Sequence, residues 1–337
     1  MRLSTSNSKT KRLRLSLGFL GFLVMFAAVE IYVFRDLSFY GMEYRSSVGQ
    51  LEELEYSFQH SRPEGIRTAI FGDSQSKDAL RPELLAQTAK LDPSSIFNFS
   101  VSGAKAYDIY QTYLKYVDRL PNLKEAIIVV NEHQLNSYNI SNDPIFRYYA
   151  GLQDRIQALN KDNYGELLLG WVSKGFDMRS IWTKIVQSCF KGTLPKPLSS
   201  VWKPGGIRAE TMMEPNGLTL EYAQDTASRW FDHYTLRGLQ TDSFEALLRD
   251  LRERGVRVVV LQIPRSSLFE QAVKQKYAAQ QRDYFDQISS IAREFGVEFH
   301  VMTNEGLTLK DHFRDTNHVQ PKGAIIVSRE VALQWLM

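Results

Sequence analysis

The sequence predicts an α/β fold: a three-layer, doubly wound parallel sheet, interrupted by a helical insertion and preceded by one membrane-spanning helix. Three observations lead there. Five short runs rich in β-branched and aromatic residues recur after residue 66: RTAIFGDS (67–74), SIFNFSVSG (95–103), EAIIVVN (125–131), VRVVVLQIP (256–264) and VEFHVMT (297–303). Continuous apolar runs of this length suit strands buried on both faces of a parallel sheet. Helical patterns alternate with the last of them, as right-handed crossovers require. Ahead of everything lies a stretch apolar enough to cross a bilayer.

That stretch is residues 15–34, LSLGFLGFLVMFAAVEIYVF, interrupted only by Glu30. At 1.5 Å rise per residue it matches a hydrocarbon thickness of about 30 Å. Glu30 lies near its distal end, within reach of an interface, and Tyr32 and Tyr40 are candidate headgroup anchors. The basic tail, residues 1–14, carries Arg2, Lys9, Lys11, Arg12 and Arg14 and no acid, whereas Arg35 is balanced by Asp36 after the span. This bias orients the N-terminus to the cytoplasm and everything beyond about residue 35 to the outside of the cytoplasmic membrane, with lipid the partner of residues 15–34. A cleaved signal peptide is the competing reading; the apolar stretch is long for one, and no small-x-small site follows it.

Composition bounds the remainder. The 337 residues are 43% hydrophobic and 23% charged, as in an ordinary globular chain. Of 41 basic residues five sit in the tail, which leaves 36 against 38 acidic ones and a body near −2. That argues against nucleic acid as a partner. Cys189 is the only cysteine, so the chain has neither an internal disulfide nor a thiolate zinc cluster. Such a lone thiol is expected to be a buried small hydrophobe.

Residues 35–66 read as a stalk, polar and partly helical from 48 to 66 and ending in Arg62-Pro63-Glu64-Gly65; the ordered domain is expected over 67–337. Its clearest helix is TDSFEALLRDLRERG, with Phe244, Leu247, Leu248 and Leu251 at i, i+3, i+4, i+7, Asp242 as a candidate cap and Gly255 as the stop. A second long helix is expected over about 267–295, ending at Gly296, and a third from about 322 to the C-terminus. Residues 135–240 break the alternation, with helical segments, many aromatics and the loop-like GTLPKPLSSVWKPGGI. They are expected to form an insertion over the carboxyl ends of the strands, where α/β sheets bind ligands.

Chemistry-bearing residues lie at both ends of the domain. Phe71-Gly72-Asp73-Ser74-Gln75 takes a strand through Gly-Asp-Ser into a helix, which presents the Ser74 hydroxyl at the strand's carboxyl end beside amides that favour developing negative charge. Gly-Asp-Ser is also common turn chemistry. Near the other end, Asp311-His312-Phe313-Arg314-Asp315-Thr316-Asn317-His318 precedes the final helix. Asp315 and His318, three apart in one turn, can bring a carboxylate against an imidazole, fixing its tautomer and stabilising the imidazolium. Asp311 and His312 are adjacent and tend to diverge. The six histidines are scattered, without a His-Glu-x-x-His pattern, so the expected chemistry needs neither metal nor cofactor.

By the order and placement of these blocks, the chain resembles the SGNH (GDSL-like) hydrolase superfamily over about residues 67–337. The resemblance implies an SGNH-type, flavodoxin-like sheet and a catalytic triad of Ser74, Asp315 and His318. It implies an oxyanion hole of the Ser74 amide, the Gly103 amide in Asn98-Phe99-Ser100-Val101-Ser102-Gly103, and a side-chain amide after the third strand. The family shows Gly-x-Asn-Asp there, and this chain has Val130-Asn131-Glu132-His133-Gln134, without the glycine. Asn131 is the assigned donor, with His133 or Gln134 as alternatives. Arg265, after Ile263-Pro264, is a candidate for binding an anionic substrate, with a solvated loop arginine as the alternative.

The anchor and the texture of FNFSVSGAKAYDIYQTYLKY are similar to the envelope-modifying branch of that superfamily, which includes D-alanyl transfer and alginate O-acetylation proteins. This implies serine-dependent O-acyl transfer to a cell-envelope polysaccharide beside a polytopic membrane O-acyltransferase. An esterase removing acyl groups and a non-catalytic adaptor are the alternatives. A transferase needs a polymer groove, for which Trp171, Trp182, Trp202 and Trp230 are candidate stacking surfaces, unless they are simply core.

Overall fold

The computed structural model describes residues 8–138, 140, 143–159, 163–201, 205–206 and 215–336. The five apolar runs form strands β1 Thr68–Phe71, β2 Ile96–Asn98, β3 Glu125–Val129, β4 Arg257–Gln262 and β5 Glu298–Val301. They make one all-parallel sheet in the order β2-β1-β3-β4-β5, with Ile70 level with Asn98 and Ile127, and Ile127 level with Val259.

Successive side chains leave a strand on opposite faces. Ala69, Phe71, Ile128 and Val260 enter one hydrophobic cluster with Leu54, Phe58, Tyr113 and Leu247. Ile70, Ile127, Val129, Val259 and Leu261 enter another with Leu85, Val327 and Val331. Both faces are thus covered at β1 to β4, which read as nearly unbroken apolar runs, whereas edge strand β5, Glu-Phe-His-Val, is only partly buried.

The expected helices form with altered bounds. The helix predicted around TDSFEALLRDLRERG spans Leu239–Glu253 and starts before Asp242. Gly238 (φ +116°) precedes it, and Ser137 Oγ accepts from Gln240 N at 3.3 Å, so its start is capped from another part of the chain. The long helix expected over 267–295 is two, Ser267–Lys276 and Ala278–Phe295. The break is at Tyr277, whose ring stacks on Phe231 at 4.8 Å. Gly296 (φ +64°) ends the second, and the last helix is Pro321–Trp335.

Two expectations fail. Residues 35–66 are not a free stalk, because helix Ser47–Gln59 buries Val48, Leu51, Leu54 and Phe58 in the core and Tyr40 is fully covered. Cys189 is exposed near the end of helix Arg179–Lys191, although it continues the line of buried Ile181 and Ile185.

The N-terminal helix Ser8–Val29 continues into a π-helical turn, Glu30–Phe34. Leu17–Phe34 is long and apolar enough to cross a membrane, with a mean hydropathy of 2.2 and almost none of it buried. Within 135–240, helix Pro144–Tyr149 packs on helix Ser47–Gln59, and helices Lys174–Asp177 and Arg179–Lys191 pack beside residues 30–43, at the end of the apolar span and just after it. Other parts reach the carboxyl edge of the sheet: Asn98 N donates to Gly205 O at 2.9 Å, and Asn216 N donates to Arg314 O at 2.8 Å.

Candidate active site

β1 ends at Phe71, and Gly72-Asp73 turns the chain into helix Ser74–Ala79. Asp73 is the N-cap, its Oδ1 accepting from Gln75 N at 2.9 Å. The turn is tight: a Cβ on Gly72 would lie 2.7 Å from Ser76 Cβ and 3.0 Å from Val129 Cβ, so only glycine fits between helix and neighbouring strand. Ser74 is thereby held half-buried at the carboxyl end of β1, at the point where the strand order reverses between β1 and β3.

The Asp-x-x-His segment arrives from the other end of the chain. Asp315 Oδ1 accepts from the amides of Asn317 (3.0 Å) and His318 (2.9 Å), so the carboxylate folds its own turn. It also lies 2.9 Å from His318 Nδ1. The loop is pinned from two sides: Ser266 donates to Thr316 O through its amide (3.0 Å) and its hydroxyl (2.7 Å), and Gln75 Nε2 donates to Asn317 O at 2.7 Å. His318 Nε2 stands 2.7 Å from Ser74 Oγ. A carboxylate, an imidazole and a hydroxyl are thus in line. Since Asp315 accepts from Nδ1–H, Nε2 of the neutral ring is left to accept from the Ser74 hydroxyl.

Burial alone would push His318 down, but the hydrogen bond and charge of Asp315, helped by Asp78, hold its pKa above the ordinary histidine value. Burial likewise works against ionised Asp315, yet His318, the Asn317 amide and Arg314 keep it below the usual carboxylate range. Arg314 reaches Asp78 at 2.9 Å and Asp315 at 3.6 Å, which joins the two carboxylates that favour the imidazolium.

The loop after β2 lies beside this turn, because Val101 N donates to Gly72 O at 3.2 Å and Ser100 Oγ to Ser76 Oγ at 2.7 Å. Gly103 is exposed at φ +79°, a left-handed conformation that glycine adopts without strain. Among the described residues neither Ser74 N–H nor Gly103 N–H has an acceptor. The loop is braced by residues that no sequence pattern singles out: Lys77 Nζ donates to Ser102 Oγ (2.7 Å) and Gln50 Oε1 (3.3 Å), and Ser102 N donates to Gln50 Oε1 at 3.0 Å. Gln50 belongs to the helix expected to be a stalk.

The block after β3 differs from expectation. Asn131 is fully buried, and its Nδ2 donates to Gln75 Oε1 at 2.8 Å and Asp73 Oδ2 at 3.3 Å. Both amide hydrogens are committed, so Asn131 fixes the Asp73-Ser74-Gln75 turn and does not offer a third oxyanion donor. The alternatives offer none either. His133 Nδ1 donates to Asn131 Oδ1 at 2.9 Å, and burial, with Lys105 and His318 nearby, pushes its pKa down to about 3; the neutral ring therefore has no hydrogen on Nε2. Buried Gln134 accepts from Asn131 N at 2.7 Å and donates to Val129 O at 3.3 Å and Ala104 O at 3.4 Å.

Arg265 is neither a free anion receptor nor a solvated loop residue. It is 3% exposed and paired with Glu132 at 2.5 Å and Glu270 at 2.7 Å. Two carboxylates satisfy its charge, and Glu132 is itself fully buried. Of the tryptophans, Trp230 stacks on His133 at 5.1 Å and so lies next to the site. Trp182 packs on Phe34 at 5.6 Å, at the end of the apolar span, and Trp171 is exposed on the outer face of helix Tyr164–Val172. Trp202 lies outside the described residues. Asp311 and His312 close their own turn with Thr308. No protein-family model matches the chain, and no curated protein aligns with it significantly.

Proposed function

We propose that this chain is a membrane-anchored serine O-acyltransferase of the SGNH type, built on a doubly wound sheet, that acylates a cell-envelope polysaccharide through an acyl-Ser74 intermediate. The observation that carries this reading is the 2.7 Å contact between Ser74 Oγ and His318 Nε2, with Asp315 on the far side of the ring and two unpartnered amides at Ser74 and Gly103.

The chemistry follows from that arrangement. His318 Nε2 takes the proton of Ser74 as Oγ attacks the donor's acyl carbonyl, and the Ser74 and Gly103 N–H groups hold the resulting oxyanion. Collapse breaks the bond to the donor's leaving group, which receives the proton from His318, and Ser74 is left as an ester. A sugar hydroxyl then gives its proton to His318 and attacks that ester. The second oxyanion collapses to the acylated glycan, and Ser74 recovers its proton. No step calls for a metal or a cofactor.

The span at 15–34 and the basic tail support an outward-facing domain at the cytoplasmic membrane, beside a polytopic membrane O-acyltransferase that delivers the acyl group. An esterase would use the same residues with water in place of the sugar. The experiment is to compare envelope glycan acylation in cells lacking the protein with cells carrying Ser74→Ala. Less ester in both is the expected result; more ester in both would make the protein an esterase. Unchanged acylation with Ser74→Ala, against loss in the deletion, would make it an adaptor.

A further inference from the structure

A second apolar surface stands beside the N-terminal span. Helix Tyr164–Val172 reads YGELLLGWV, and its inward line is narrow: Asn163, Leu167, Gly170 and Lys174 are buried. Tyr164, Leu168, Leu169, Trp171 and Val172 are each 41 to 62% exposed. Glu166 is its one charge, and it is paired with Arg147 at 2.8 Å and Arg179 at 2.7 Å. A helix apolar around most of its circumference is poorly suited to water.

The level of this helix is fixed by Glu30. Ser173, the next residue after the helix, donates its hydroxyl to Glu30 Oε1 at 2.5 Å, and the amides of Lys174 and Gly175 donate to the same carboxylate at 2.7 and 3.2 Å. These donors meet the need of an acidic side chain buried at the edge of an apolar span. Glu30 lies four residues before Phe34, where the apolar stretch ends. An α-helix would rise 1.5 Å per residue, and the π-helical turn rises less, so Glu30 lies within about 6 Å of the boundary. Trp171 and Val172 therefore end their helix at the depth where interfacial helices lie, about 5–10 Å into the headgroup and acyl region. Tyr164 and Trp171 are residue types that favour that layer.

We propose that helix Tyr164–Val172 rests in the outward-facing interface of the bilayer as a second, shallow membrane contact. The occupant of its apolar face is lipid, because that face ends at Val172, next to the Ser173 that Glu30 of the span holds, and the helix's one charge is paired. The proposal rests on reading residues 17–34 as a retained anchor. Two attachments would hold the catalytic domain at a fixed height and orientation, where a single flexible tether would let it swing.

The test uses the full chain in phosphatidylcholine nanodiscs. In a Cys189→Ser background, an environment-sensitive fluorophore is placed by Leu169→Cys on the helix, by Phe26→Cys in the span, or by Glu253→Cys on a solvent-exposed helix end. Quenching is read with nitroxide lipids labelled near the headgroup or near the chain end. Expected is at least a twofold preference for shallow over deep quenching at position 169, deep quenching at 26, and none at 253. An unquenched 169 with a quenched 26 overturns the contact and leaves the anchor standing. An unquenched 26 overturns the anchor and this proposal together.

Discussion

Gln75 and Asn317 are joined across the site: the Gln75 Nε2 donates to the Asn317 carbonyl at 2.7 Å, one residue before His318. The same side chain accepts from Asn131 Nδ2 at 2.8 Å, so one buried amide ties the Ser74 turn to the loops after β3 and before the last helix. In the proposed mechanism Gln75 acts on Ser74, Asp315 and His318 through position alone. Gln75→Leu leaves the Asn317 carbonyl and one Asn131 amide hydrogen without partners and frees the histidine loop. Expected is a loss of kcat of about 100-fold with KM little changed, since a misplacement of about 1 Å costs that much. Gln75→Glu, which keeps the acceptor for Asn131, is expected to recover part of it. Equal losses in kcat and in folded fraction, measured by circular dichroism, would instead mark Gln75 as purely structural.

The pair His318–Asp315 sets the pH response. In the proposed mechanism His318 must be neutral to accept the serine proton, and its pKa is raised above the ordinary value. Activity should therefore rise with pH through an apparent pKa above about 6.5. Stability runs the other way. The charged ring with Asp315 stabilises the fold fully below the unfolded-state pKa, and that contribution is lost as pH rises through the higher folded-state value. Asp315→Asn is expected to shift the activity midpoint down and to lower kcat by about 10⁴-fold. A pH–rate profile for wild type and variant, with melting temperatures across the same range, checks both signs; an unmoved midpoint would separate Asp315 from His318.

Gly103 is held at φ +79° with open space where a Cβ would go, the nearest atom being Ser47 Oγ at 3.6 Å. Gly103→Ala thus meets no steric wall, only the left-handed conformation, at about 1–2 kcal/mol. If relaxation turns the N–H away, one oxyanion donor is lost, worth about 10²- to 10³-fold in kcat. Fluorophosphonate labelling of Ser74 together with turnover of a small acyl ester reads this out. Full activity in a folded Gly103→Ala would remove the amide from the oxyanion hole.

Arg265 tests the correction drawn from its burial. With Glu132 and Glu270 as partners, Arg265→Ala leaves Glu132 as an uncompensated buried charge. Expected is a destabilisation of about 3–5 kcal/mol, measured by denaturant unfolding. An unchanged midpoint with a selectively higher KM for anionic acceptors would return Arg265 to the role of an anion receptor.

Much of this was legible along the chain, and the reasons for what was not are specific. Strands β1 to β4 are readable because a sheet covered on both faces leaves little polar alternation there. Helix Ser47–Gln59 reads as polar because Glu52, Glu53 and Glu55 interrupt the buried line of Val48, Leu51, Leu54 and Phe58, and only the fold pairs Glu55 with Lys115 and Arg119. The break at Tyr277 and the distant cap on Leu239–Glu253 depend on Phe231 and Ser137, which local sequence cannot supply.

By itself the sequence determined the strand order of chemistry: a hydroxyl at the end of β1, a glycine turn after β2, and a carboxylate three residues before an imidazole ahead of the last helix. These are local features, fixed by turn geometry and side-chain type. Only the tertiary structure decided which polar groups remain free to react. Asn131, His133, Gln134 and Arg265 carry the right atoms, but their hydrogens are committed to Gln75, Asp73, Val129, Glu132 and their neighbours once burial demands partners for them. Ser74 and Gly103 keep unpartnered amides because they lie at the site's partly exposed mouth.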